Sequence, residues 1–255
     1  MNILIVIPSR YASTRFPGKP LALIAGKPMV QRVYEKATES GFPAVVATDD
    51  MRIFEAVEDF GGRVVMTSER HKSGTDRCQE AVHKYMQREG EVVDVVINLQ
   101  GDEPFIEEEQ ILTLAGFFKD PDCEIATLAK PFNVDEGYEV LFDPNKVKLV
   151  RGKNGNALYF SRSVVPYQRG LDRKEWLYNH TYYLHIGMYA YRTDILEKIT
   201  QLKQTPLEIA ESLEQLRWLE HGFNIKTGIT HHQSMGIDTP EDLEKVNNQP
   251  DVRLL

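Results

Sequence analysis

Short apolar runs alternate with stretches of helical period through the first half of the chain. "ILIVI" is an unbroken apolar run of the length a buried strand needs. "PMVQRVYEKATES" follows, and its spacing predicts a helix that starts at Pro28 and stops at Gly41. "AVVAT" predicts a second strand, "DMRIFEAVEDFGG" a helix closed by glycines and "RVVM" a third strand. In "SGTDRCQEAVHKYMQREG", Val82, Tyr85 and Met86 recur at helical spacing, and "VDVVINLQGDEP" reads as the longest apolar strand of the chain. Alternation of this kind predicts an α/β fold, a mostly parallel sheet covered by helices in a nucleotide-binding layout.

After Pro121 the texture changes. "NKVKLV" and "HIGMYAYR" alternate polar and apolar positions, which predicts a mixed sheet or an added β lobe. "TPLEIAESLEQLRWLEHG" reads as one strong helix, with Thr205 as N-cap, Pro206 first, Glu208 completing a capping box and Gly222 beyond its end. "DTPEDLEKVN" repeats the device with Thr239 and Asp242. No repeat, low-complexity tract or Gly/Ser linker divides the chain. The reading is a single domain over 1–255, with a nucleotide-binding part (1–120) and a second part (121–255) sharing one cleft.

Composition narrows this picture. At 255 residues, 42% hydrophobic and 27% charged, the chain has enough apolar content for a sizeable core. "MNILIVIP" is too short and too soon followed by Arg10 to be a signal-peptide core, and no run is long enough to span a bilayer, so the expectation is a cytoplasmic protein with no membrane partner. Cys78 and Cys123 are too few for a disulfide framework or a cysteine zinc site. A formal charge of −8 argues against nucleic acid as a partner.

Against that acidity, the first stretch is basic. Nothing before Glu35 is acidic, while Arg10, Arg15, Lys19, Lys27 and Arg32 are cations. "PSRYASTRFPGKPL", residues 8–21, follows the first strand, where open parallel sheets carry their phosphate-contacting loop. Gly18 permits close backbone approach, Ser9, Ser13 and Thr14 offer hydroxyls, and Arg10, Arg15 and Lys19 can neutralise a polyphosphate. It is neither a Walker loop nor a GxGxxG, and a solvated loop balancing acids elsewhere is the plainer alternative. In "NLQGDEP", Asp102 can hold a Mg²⁺ that bridges phosphate oxygens, although Gly-Asp-Glu-Pro is also ordinary turn chemistry. In "HKSGTDR", Ser73, Gly74 and Thr75 offer free amides at a helix start, or plain capping. Asp238 reads as a second metal carboxylate or as the residue before a cap.

Taken in order, "IPSRYASTRFPGKPL", "GKPM", "VATDD", "HKSGTDR", "NLQGDEPFI", "KVKLV", "ALYFSR", "PLEIAESLEQLRWLEHG" and "GIDTPEDLEKV" closely resemble the cytidylyltransferases that activate 3-deoxy-D-manno-octulosonate (Kdo). The resemblance covers nearly the whole chain. One position departs from the pattern: Asp76 stands where the family has Glu.

The resemblance implies a Rossmann-like nucleotide-diphospho-sugar transferase fold, with helices on both faces and a smaller β-rich dimerisation lobe. It implies transfer of CMP from CTP to Kdo with release of pyrophosphate, Mg²⁺ as cofactor, a role in lipopolysaccharide synthesis and a homodimer. Carried over, Arg10, Ser13, Arg15 and Lys19 hold the triphosphate, and Ser73, Gly74 and Arg77 lie towards the cytidine. Asp102 and Asp238 bind metal, and Lys19, Arg15 and Asp102 carry the catalysis. Gln100, Arg162, His185, Tyr189, Glu214 and Gln215 meet the sugar, Arg162 on its carboxylate. By pattern alone, Tyr189 reads as readily as a core strand residue, His185 reads as structural before it reads as a ligand, and Glu214 and Gln215 read as solvated. Two alternatives stay open: the same chemistry on 8-amino-Kdo or a sialic acid, and a CTP-binding module without turnover.

Overall fold

The computed structural model describes residues 1–12, 15–232 and 236–249. The chain forms two compact units: the first runs Met1–Ala115 and is rejoined by the C-terminal segment, and the second begins at Gly116. The "GIDTPEDLEKV" segment lies in the part that returns to the first unit.

In the first unit, β1 (Ile3–Ser9) leads through the short β2 (Leu23–Ile24) and β3 (Lys27–Pro28) to α1 (Met29–Glu39) and β4 (Ala44–Thr48). α2 (Met51–Asp59), β5 (Val64–Met66), α3 (Gly74–Glu89), β6 (Val95–Asn98) and α4 (Glu108–Phe117) complete it. The parallel strands pair in the order β6-β1-β4-β5. Their apolar runs are continuous because both faces are covered: residues 3–7 of β1 and all of β4 and β6 are buried. α1, α2 and α3 pack on these strands. Val82 and Tyr85 of α3 are in the core, as their spacing predicts.

The second unit is a mixed sheet. It contains β7 (Ile125–Pro131), the hairpin β8 (Lys148–Arg151) and β9 (Ala157–Ser161), α5 (Trp176–Asn179), β10 (Tyr183–Arg192), α6 (Thr193–Thr200), α7 (Pro206–Glu211), α8 (Gln215–Glu220) and β11 (Ile225–Ile229). β10 pairs antiparallel with β7 and β8, β8 with β9, and β11 runs parallel to β7. The turn before β9 folds back on β11, where Thr227 N–H donates to the Gly155 carbonyl at 2.8 Å. α9 (Pro240–Asn247) then belongs to the first unit, where Ile237 and Val246 join Ile24 and Met29 in one apolar cluster.

Three expectations change. The longest strand is β10, ten residues, whereas β6 is four. Lys148, on the polar phase of "NKVKLV", is fully buried, and its ammonium donates to the Asp143 carbonyl at 2.9 Å. The predicted single helix over "PLEIAESLEQLRWLEHG" breaks at Ser212, which sits at φ 51° in the left-handed region. The break is held from outside: Arg162 donates to the carbonyls of Glu211 and Ser212, and the Glu211 carboxylate accepts from the Ser161 hydroxyl and Arg162 N–H. These bonds satisfy groups that a continuous helix would bond internally.

Both cysteines are free and buried. Among the described residues no helix is long and apolar enough to cross a membrane.

Candidate active site

β1 and β6 are parallel neighbours, so the loops beyond their carboxyl ends converge. The approach depends on Gly101. A Cβ there would stand 2.7 Å from the Ser9 hydroxyl oxygen and 3.0 Å from the Pro8 carbonyl oxygen. Gly101→Ala must push the "GDE" turn off the end of β1, at a cost of about 1–3 kcal/mol. The expected result is a folded protein with a lowered melting temperature and activity down by more than tenfold. An unchanged melting curve and turnover would remove the close approach as a requirement.

Beyond these strand ends lies a cavity of about 180 Å³ lined by Pro8, Ser9, Arg10, Arg15, Lys19, Pro20, Gln100, Gly101, Asp102 and Asp238. Gly18, at φ +73°, turns the loop against the Tyr11 ring and starts the single 3₁₀ turn that carries Lys19. The Arg52 guanidinium covers Tyr11, 3.3 Å from its ring centre. Asp238 arrives from the other end of the chain. Ile237 N–H donates to the Asp102 main-chain carbonyl at 3.0 Å, while Asn247 bonds the main chain at Leu23 and Ala25. That docking sets the two carboxylates side by side.

Both carboxylates converge on one ammonium. Lys19 Nζ lies 2.5 Å from Asp102 Oδ2 and 3.2 Å from Asp238 Oδ1, and Arg15 reaches Asp238 Oδ2 at 3.1 Å. Lys19 is only 13% exposed, whereas Arg15 is 67% exposed, so Lys19 is the buried member and Arg15 the solvent-facing rim. The loop's cations and the expected metal carboxylates are thus one ionic array. Not every early cation belongs to it: Lys27 pairs with Glu35, and the buried Arg32 donates to the carbonyls of Ile24 and Ala25. Ser13 lies outside the described residues.

A second cavity of about 100 Å³ shares Pro8, Arg10 and Gln100 with the first and adds His71, Ser73, Gly74 and Arg77. Ser73 spends its hydroxyl as the α3 N-cap, accepting from Asp76 N–H at 3.1 Å. Gly74 leaves the slot open, since a Cβ there would lie 3.5 Å from Pro8 and 3.8 Å from the Gln100 amide nitrogen. Arg77 is 3% exposed, and its guanidinium donates to Thr67 at 2.6 Å and Asp49 at 2.5 Å. It therefore forms a fixed wall. Asp49, Thr67 and His71 were not singled out from the sequence; "VATDD" and "HKSGTDR" contained two of them, without a sign of which side chain turns inward.

The remaining candidates belong to the second unit. Arg162 lines an open hollow of about 400 Å³ with Phe142, Tyr167 and Trp176. Its guanidinium donates to the carbonyls of Glu211, Pro144 and Ser212, so it holds the turn that presents Glu214 and Gln215. His185 packs against Phe160 and Tyr189 and contacts the Thr127 hydroxyl at 3.2 Å. Burial pulls its pKa from 6.5 to about 3, so the ring is neutral at pH 7. Tyr189 lies edge-on to Trp218 of α8. Burial and then the Glu214 charge push its phenol well above the ordinary range, with Thr127 tempering the rise, yet its hydroxyl has no hydrogen-bond geometry. Gln215 is not solvated: it is 5% exposed, with an amide nitrogen that lacks a partner. α8 turns it inward alongside the buried Leu216 and Trp218.

The comparisons with known proteins agree with this chemistry. A family model described as Cytidylyltransferase matches residues 4–227. The 3-deoxy-manno-octulosonate cytidylyltransferase of Parabacteroides distasonis is 58% identical over 246 residues, with 96% of each chain covered. That of Phocaeicola vulgatus is 57% identical, again with 96% of each covered. A solved structure of CMP:2-keto-3-deoxy-manno-octonic acid synthetase complexed with CTP superposes with a TM-score of 0.87 at 44% identity, covering 97% of both chains. By sequence and by fold, the chain belongs to the cytidylyltransferase family, among its 3-deoxy-manno-octulosonate cytidylyltransferases.

Proposed function

We propose that the protein transfers CMP from CTP to the anomeric hydroxyl of Kdo, giving CMP-Kdo and pyrophosphate. The observation that carries this reading is the array of Arg10, Arg15, Lys19, Asp102 and Asp238 in one cavity at the ends of β1 and β6. Attack of the anomeric hydroxyl on the α-phosphorus forms one P–O bond and breaks the bond to the α,β-bridging oxygen, so that pyrophosphate leaves and the hydroxyl proton passes to solvent. Arg10, Arg15 and Lys19 bind the triphosphate and offset the charge that builds on that leaving group. Neutralisation held in place before the reaction costs no reorganisation during it.

Asp102 and Asp238 fit a magnesium ion: two acceptor-only carboxylates already converge on one cation beside phosphate-binding groups, and Mg²⁺ favours one or two carboxylates with phosphates. When bound, that ion supplies further charge neutralisation and lowers the pKa of a coordinated hydroxyl. On the sugar side, His185, Tyr189, Glu214 and Gln215 of the second unit are the assigned contacts. The unpartnered Tyr189 hydroxyl and Gln215 amide support this, because a polyhydroxylated acid would satisfy buried polar atoms that otherwise cost about 1–3 kcal/mol each. Three N–H groups of Arg162 hold carbonyls, leaving two for the sugar carboxylate.

The same reading makes the protein a cytoplasmic homodimer serving lipopolysaccharide synthesis. Leu158, Tyr167 and Tyr178 of the second unit are exposed apolar side chains that a second copy would cover. The test is pyrophosphate release from CTP and Mg²⁺ with Kdo, 8-amino-Kdo, a sialic acid and no sugar in parallel. Release with Kdo and loss on chelation are the expected results. Release with another acid only would change the sugar, and CTP binding without release with any would leave a nucleotide-binding module.

A further inference from the structure

The second cavity contains a histidine that the triphosphate chemistry does not use. His71 lines it, and its Nε2 is hydrogen-bonded to Glu80 Oε2. Glu80 is itself fixed, accepting from Ser68 N–H at 2.9 Å and from Lys84 Nζ at 2.7 Å. Burial raises the Glu80 pKa, but the bonds from Lys84, Ser68 and His71 outweigh it and bring the carboxyl from 4.5 to about 2. Glu80 is therefore ionised at neutral pH and can only accept. Against an acceptor-only carboxylate the ring must present a proton on Nε2, and the tautomer that carries its one proton there offers Nδ1 as an acceptor. The cavity has no carboxylate in its lining, its Arg77 wall is committed to Asp49 and Thr67, and Gly74 keeps a slot open between Pro8 and Gln100. Such a slot takes a flat, hydrogen-bonding group, while Arg10, which both cavities share, stands at the polyphosphate side.

We propose that His71 is a specificity-determining residue for the base: held by Glu80 as the Nε2–H tautomer, it accepts at Nδ1 from the exocyclic amine of cytosine and thereby selects CTP over UTP. The inference rests on the reading of the two cavities as a CTP site. Uracil presents a carbonyl oxygen where cytosine presents that amine. Two acceptors would then face each other, and a site built for a donor rejects the group that lacks it. Glu80 is the positioning residue, since it fixes which nitrogen carries the proton.

The experiment measures kcat/KM for CTP and for UTP with Kdo, in wild type and in His71→Phe. The expected result is a fall in the CTP/UTP ratio of about tenfold to a hundredfold, through loss with CTP and little change with UTP. An equal loss with both nucleotides would make His71 merely structural and overturn the proposal. Nitrogen NMR of labelled histidines in the wild-type protein gives a reading that does not depend on a variant folding. The His71 Nδ1 signal should be that of an unprotonated nitrogen and should shift on CTP but not on UTP; a protonated Nδ1 would also overturn it. Wild-type protein that turns over no CTP would instead fail the functional reading, so the two failures are distinguishable.

Discussion

Asp102→Asn is expected to lower pyrophosphate release by about 10²–10³-fold while leaving the protein folded. The substitution keeps the size of the side chain and the main-chain carbonyl that accepts from Ile237, so the docking of the C-terminal segment survives. What it removes is a charge from the pair that converges on Lys19. Lys19 is left with Asp238 at 3.2 Å, a partner that Arg15 already shares. Asp238→Asn should cost less, about tenfold, because Asp238 is 47% exposed against 32% for Asp102 and stands farther from the ammonium. Steady-state rates over a range of Mg²⁺ concentrations check both. An Asp102→Asn protein with wild-type turnover and unchanged Mg²⁺ dependence would sink the role assigned to this carboxylate.

The same array explains what the sequence made legible. The loop after β1 announced itself because basic residues cluster at a topologically favoured place in an acidic chain, and Asp102 because it follows a buried strand. Those are local signals, and the structure keeps them together in one cavity. What no local signal carried was the pairing of residues far apart. Asp238 joins Asp102 across more than a hundred residues through a main-chain bond from Ile237 and an apolar cluster around Ile24 and Met29. The resemblance puts Arg77 towards the cytidine and it does line the second cavity, but no local signal showed that Asp49 and Thr67, from the loops after β4 and β5, fix its guanidinium. Helical period predicted α7 and α8 correctly in content and wrongly in continuity. The apolar spacing of Leu213, Leu216 and Leu219 survives a break at Ser212, and only the bonds of Arg162 and Glu211 reveal it.

That break has an energetic counterpart. With the chain turned at Ser212, α8 brings Arg217 back onto Glu208 of α7, and the guanidinium binds the carboxylate through two N–H groups at 2.5 and 2.7 Å. The pair is 12% and 6% exposed, so removing one partner leaves a buried charge uncompensated, at a cost of about 3–5 kcal/mol. Glu208→Gln is expected to lower the melting temperature by roughly 10 °C at pH 7. Removing the exposed pair Lys198–Asp194 should leave the melting temperature nearly unchanged. The pH dependence has a definite sign. Burial raises the Glu208 pKa, but the bonds from Arg217 and Gln204 and the Arg217 charge outweigh it, so the folded carboxyl lies below the ordinary range. The stabilisation is complete above roughly pH 4.5 and drains away as pH falls through the folded pKa. Melting curves of wild type and Glu208→Gln should therefore be well separated at pH 7 and converge in acid. A gap that stays constant down to pH 3 would mean that the charge on Glu208 does not hold α8 against α7.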